Sequence, residues 1–136
     1  MTGGSKLYVV SLISSIAALA MLAAGGAPAA DEAIPATAWK AIELNGKGVV
    51  GPTLDTSPHK VSGVAGCNRF FGPISVSPPD GVKIGPLATT RMMCQGDLAL
   101  ERDYLAALAA ARTFAIEDGA LILKGDGGAA LVKFRK

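Results

Sequence analysis

Cys67 and Cys94 are the two cysteines of this 136-residue chain, and their thiols are its most reactive side chains. A pair of this kind has two chemistries open to it: a redox or nucleophilic couple, or a structural disulfide in an oxidising compartment. A nucleophilic thiol needs a neighbouring base to take its proton. His59, the single histidine, sits in a Pro-flanked polar loop with no sign of alignment toward either cysteine. The same scarcity argues against a metal, because a disulfide consumes both sulfurs and one imidazole does not complete a ligand set. Ser62, Thr89 and Thr90 invite a hydrolase reading, yet the chain has no Gly-x-Ser-x-Gly elbow. Gly125-Asp126-Gly127-Gly128 is explained more simply as a hairpin turn than as a phosphate or calcium loop. The expectation is a non-enzymatic protein with no catalytic residues, no metal and no cofactor.

Binding chemistry gathers around the same cysteines. Asn68 and Arg69 directly follow Cys67, and Arg91 stands three residues before Cys94, so a disulfide would bring two guanidinium groups into one region. They have the chemistry to bind an anion, or to pair with Glu101 on a neighbouring helix and hold the fold together. Phe70, Phe71, Met92 and Met93 supply adaptable and rigid apolar surface suited to a groove, or to a core. Neighbours in a β-segment face opposite sides, so one member of each pair is expected to be exposed. The candidate binding residues are therefore Asn68, Arg69, Phe71, Arg91, Met92 and Met93.

The redox reading depends on compartment, and the first residues speak to that. Lys6 is followed by an uncharged apolar run from Leu7 to Ala24, and Ala27-Pro28-Ala29 offers the small residues a signal peptidase needs. Residues 1–29 are expected to be a cleaved signal peptide, leaving a periplasmic or secreted domain over residues 30–136. Retention as an N-terminal anchor is the alternative, since about 18 apolar residues is the lower limit for a span. No cysteine lies near the segment, which argues against a lipid anchor. Removing Lys6 lowers the net charge from +2 to +1, a balance unlike that of a nucleic-acid-binding surface. The remaining chain can bury roughly 60–70% of its unfolded surface. Bridging Cys67 and Cys94 would add roughly 3–4 kcal/mol on the chain-entropy account.

The elements that must position these residues follow from periodicity. Ala38–Leu44 alternates as a first strand, Asn45-Gly46 marks a turn, and residues 51–59, with two prolines, leave room for a short edge strand. Lys60–Gly66 is a β-run interrupted by glycines that suit a bulge or a close backbone approach. Phe70–Val76 and Val82–Ile84 form a hairpin through Pro78-Pro79-Asp80-Gly81. Between Gly96 and Arg112 the period becomes helical, with Asp97 as N-cap and Leu98, Leu105 and Leu108 recurring beside Glu101. Three strands then form a meander, Thr113–Glu117, Ala120–Lys124 and Ala130–Phe134, separated by Asp118-Gly119 and by Gly125-Asp126-Gly127-Gly128. The fold class is α+β: a small, curved, mainly antiparallel sheet of about seven strands with one amphipathic helix packed on it, over one opening or face.

Two segments carry a family resemblance. Ser62-Gly63-Val64-Ala65-Gly66-Cys67-Asn68-Arg69-Phe70-Phe71-Gly72 and Thr90-Arg91-Met92-Met93-Cys94 resemble the META domain family, which includes bacterial heat-shock HslJ-like proteins. The likeness extends to Trp39-x-x-x-x-Leu44, the helix carrying Glu101, and the strand around Leu121–Leu123. It implies a β-rich domain with one helix, found in secreted or surface-associated proteins and linked to envelope or heat stress, with no established catalysis. Likeness of such domains to lipid-binding pilot proteins of secretion systems implies partners such as an apolar ligand, an envelope component or another protein. The expected function is an exported, monomeric binding module with no nucleic-acid partner and no stable membrane span after cleavage. The alternative is a structural or protein-interaction domain that assists secretion or inhibits a partner enzyme.

Overall fold

The computed structural model describes residues 3–4, 33–92, 94–96 and 98–136. The expected signal peptide therefore falls almost wholly outside the described residues, as do Met93 and the expected N-cap Asp97. Among the described residues ten strands and one α-helix follow in order: β1 (Ala38–Leu44), β2 (Lys47–Gly48), β3 (Thr53–Thr56), β4 (Lys60–Val64), β5 (Arg69–Ser77), β6 (Gly81–Ile84) and β7 (Ala88–Thr89), then α1 (Leu98–Ala110), β8 (Thr113–Glu117), β9 (Ala120–Lys124) and β10 (Ala130–Arg135), with a short 3-10 turn at Asp126–Gly128 between the last two. The class is the expected one, α+β with an antiparallel sheet and one helix. The strand count exceeds about seven because β2 and β7 are two-residue pieces paired to β1 and β5.

Every pairing is antiparallel, and β10 pairs with both β9 and β1, so the sheet closes on itself. This closure corrects the expectation for residues 51–59. The strand there, β3, is flanked by β1 and β4 and is not an edge. Its short length reflects Pro52 and Pro58 at either side, not a lack of partners.

Alternation selects the inward residues, and one irregularity resets it. Trp39 and Ala41 point inward, as a period of two requires, but Glu43 would come next. A register shift between Ala41 and Glu43 against β10 puts Leu44 inside and leaves Glu43 exposed. The tight turns are where the sequence predicts them: Asn45-Gly46 and Asp118-Gly119 both take positive φ at consecutive positions, as a two-residue hairpin demands.

The helix packs against the barrel through Tyr104, Ala107 and Leu108, with Ala111 beyond its end. This stripe differs from the predicted one. Leu98 is 58% exposed and Leu105 only partly buried, whereas Tyr104 is fully enclosed. Tyr104 stands edge-on between Phe70 of β5 and Phe134 of β10, with ring centroids 5.9 and 6.3 Å away. Its hydroxyl donates a 2.8 Å hydrogen bond to the Thr53 carbonyl of β3. One side chain thus joins α1 to three strands. Burial, with a contribution from the Asp55 carboxylate, pushes its phenol far above the usual tyrosine range. Gly63, opposite Phe70, is the close approach predicted for the β4 glycines: a Cβ there would strike the Thr53 carbonyl and the Phe70 ring.

Candidate functional site

Two neighbouring regions hold the residues singled out by sequence. The first surrounds the cysteines. Cys67 and Cys94 form a disulfide, with Cα atoms 6.0 Å apart, which ties the β4–β5 loop to the segment before α1. The centre of this region is Asn68, which is 8% exposed. Its backbone N–H donates to Glu101 Oε1 at 2.7 Å and its side-chain amide donates to Glu101 Oε2 at 3.0 Å. Its Oδ1 accepts from the Met92 N–H at 2.6 Å and from the Thr90 hydroxyl at 3.2 Å. The Thr90 hydroxyl in turn accepts from the Arg69 N–H. Three of the four capacities of the side-chain amide, and the backbone N–H beside it, are thereby engaged across a loop, a helix and the segment after β7.

Glu101 was expected to pair with Arg69 or Arg91. Among the described residues its carboxylate is held instead by Asn68, and neither guanidinium forms an ion pair. The reason is geometric. Gly66, at φ +139°, brings the loop so close to α1 that a Cβ would sit 3.4 Å from that of Glu101, so the loop's N–H groups reach the carboxylate first. The Asn68 side-chain amide, then the Asn68 and Cys67 N–H groups, hold the Glu101 carboxyl below its usual range, against a smaller opposing effect of burial.

The second region is the outer face of β3, β4 and β5. Antiparallel register aligns Asp55, Ser62, Phe71 and Ala88 in one row across β3, β4, β5 and β7, and Lys60 with Pro73 in the next. Together with the Ser57–Lys60 turn and Pro86 they line an open groove of about 710 Å³. A second depression of about 350 Å³ continues it along the strands past Val64 to Arg69, sharing Asp55, Ser62 and Phe71 with the first. Phe71 is 58% exposed at the junction.

The structure therefore separates the sequence candidates. Asn68 is a buried connector, and Phe71 and Arg69 line the joined grooves. Met92 is 51% exposed on the disulfide-linked segment and lines neither depression. Arg91 is exposed there too, and Met93 lies outside the described residues. The phenylalanine pair behaves as alternation predicts, with Phe70 inward and Phe71 outward. Sequence reasoning missed Asp55, Lys60 and Ser62 as groove residues. The available signal was the alternation of β4, which puts Lys60 and Ser62 on the face opposite Val61 and Gly63. His59 lines the groove but has no cysteine or carboxylate cluster about it; among the described residues no three His, Cys, Asp or Glu side chains gather as a metal site.

Comparison with known proteins places the chain. Its fold is similar to that of a protein from Burkholderia xenovorans solved by NMR, at a TM-score of 0.59 and 21% identity over 81% of this chain and 96% of that one. It is also similar to a DUF4847 family protein from Bacteroides vulgatus ATCC 8482, at a TM-score of 0.58 and 13% identity over 74% and 92% of the respective chains. No curated protein matches it. Likeness at these identities concerns the fold alone. A family model for the META domain matches residues 32–136, which include the Cys67–Phe71 and Thr90–Cys94 segments and the ten strands described above, and the chain belongs to the META domain family.

Proposed function

We propose that this META domain is an exported, non-enzymatic binding module of the cell envelope, serving under envelope or heat stress, and that it binds its ligand on the outer face of β3–β5. The observation that carries the binding reading is Phe71: a large aromatic ring, more than half exposed, at the junction of two depressions, the larger about 710 Å³. That volume lies within the range of small-ligand sites, roughly 300–1,000 Å³. Its companions Pro73, Pro86 and Ala88 are apolar but small, leaving the ring as the main adhesive surface. Export is supported by the apolar run at residues 7–24 and by the disulfide.

Thermal-shift measurement against detergents, lipids and envelope peptides tests the reading. A ligand that binds the native state raises its melting temperature. Phe71→Ser is expected to abolish that rise while leaving the melting temperature of the free protein nearly unchanged. A ligand-induced rise that survives Phe71→Ser places binding elsewhere.

A further inference from the structure

The charges along the two depressions have an order of their own. Lys60 stands at one end, in the row it shares with Pro73, and Arg69 stands at the other, in the row it shares with Val64. Four residues separate these rows, roughly 13 Å at the rise of a strand. Midway lies the row Asp55–Ser62–Phe71, with one carboxylate two strands across from the exposed ring. Lys60, Arg69 and Asp55 are exposed, and none of them is in an ion pair among the described residues. The face thus presents cation, a central row with aromatic ring and anion, and cation, along a shallow diagonal that passes from β4 to β5.

An extended polypeptide laid along those strands turns every second side chain toward the sheet, and residues four apart on that side are also roughly 13 Å apart. We propose that the joined grooves bind an extended peptide segment with an apolar side chain flanked by carboxylates two residues before and two residues after it. The apolar side chain lies on Phe71, the carboxylates meet Lys60 and Arg69, and Asp55 rejects an acidic residue at the centre. A lipid tail has no such period, and the open, hydroxyl-bearing floor at Ser57 and Ser62 suits peptide backbone better than acyl chain. This inference rests on the binding reading above and adds the class of ligand and its direction along the strands.

The test uses a fluorescein-labelled peptide, Gly-Glu-Thr-Leu-Thr-Glu-Gly, with fluorescence anisotropy of the oxidised protein. The Glu→Ser and Glu→Lys versions of the peptide and dodecyl maltoside serve as controls. The acidic peptide is expected to bind at least about tenfold more tightly than the Ser version, with the difference shrinking in high salt. Lys60→Glu and Arg69→Glu are each expected to remove that preference, and Lys60→Glu to favour the Lys peptide. Both positions are exposed, so circular dichroism is expected to show an unchanged fold. Equal binding of acidic, neutral and basic peptides, or preferential binding of dodecyl maltoside, with either still abolished by Phe71→Ser, overturns the acidic-peptide assignment while the groove reading stands. Binding of any probe that Phe71→Ser leaves intact overturns both.

Discussion

The inner end of the barrel and its outer β3–β5 face use the same strands for opposite purposes. Inside, Phe70, Tyr104 and Phe134 meet edge to face, and the Tyr104 hydroxyl has its acceptor. Among the described residues no buried side-chain nitrogen or oxygen lacks a partner. Outside, one residue along the chain from Phe70, the ring of Phe71 is more than half exposed, and the charges of that face form no ion pair among the described residues. Burial with full hydrogen bonding supplies stability, whereas an apolar surface and unpaired charges held on a rigid sheet leave free energy available for a partner. The contrast separates the side chain that stabilises the fold from the one on which the proposed binding rests, within a single β-strand.

Substitutions sharpen or break that division. The largest effect is expected at Tyr104→Ala, which empties the space between two aromatic rings and orphans the Thr53 carbonyl. A loss of about 3–5 kcal/mol is expected, read as the urea unfolding free energy. Against a total of roughly 5–15 kcal/mol for a domain, that brings the protein near its threshold. Retention of wild-type stability would remove Tyr104 from the centre of the core.

Asn68→Ala comes next. It strips the side-chain donor from Glu101 and the acceptor from the Met92 N–H, for about 2–3 kcal/mol. It also loosens residues 90–92, which hydrogen exchange at Met92 would report. No loss of protection at Met92 would show that the disulfide alone positions the segment.

Glu101→Gln has a smaller effect with a defined sign. The folded carboxyl titrates below its usual value of 4.5, so its contribution is present above pH 4.5 and disappears as pH falls through the lower folded value. The substituted protein is expected to lose less stability than the parent in that acid range, seen as converging urea midpoints. Parallel curves would show that the Asn68 contacts do not distinguish carboxylate from amide. Smallest of all is Phe71→Ser, expected within about 0.5 kcal/mol of the parent despite losing an aromatic ring. A larger loss would make the outer face part of the core and end the division.

Much of this arrangement is legible in the sequence because it is local. β1, the C-terminal meander and the Asn-Gly and Asp-Gly turns follow from alternation and turn chemistry within a few residues. The opposite facing of Phe70 and Phe71 follows in the same way. What escaped depends on distant partners. β3 reads as an edge because the closure of β1 on β10, Ala41 against Phe134, is written nowhere near residues 53–56. Glu101 reads as the mate of an arginine because charge suggests charge, while the actual partner is selected by the path of the backbone at Gly66. Tyr104 went unnoticed since leucine spacing dominates the helix. The groove was only half visible: its ring was identified, but Asp55, Lys60 and Pro86 come together through three strands and a loop.

The closure also sets a schedule for folding. β1 finds its final neighbour only in β10, where Lys40 meets Arg135, and Lys136 places its ammonium 5.7 Å from the Trp39 ring. Contacts between such distant parts of a chain form slowly, since the intervening loop must be ordered before they repay it. A chain emerging from the ribosome accordingly carries β1 with one side of its ladder unsatisfied until the last strand arrives. If the chain is exported as proposed above, that delay would keep the polypeptide threadable for as long as a channel needs it to be, locking only once β10 reaches β1.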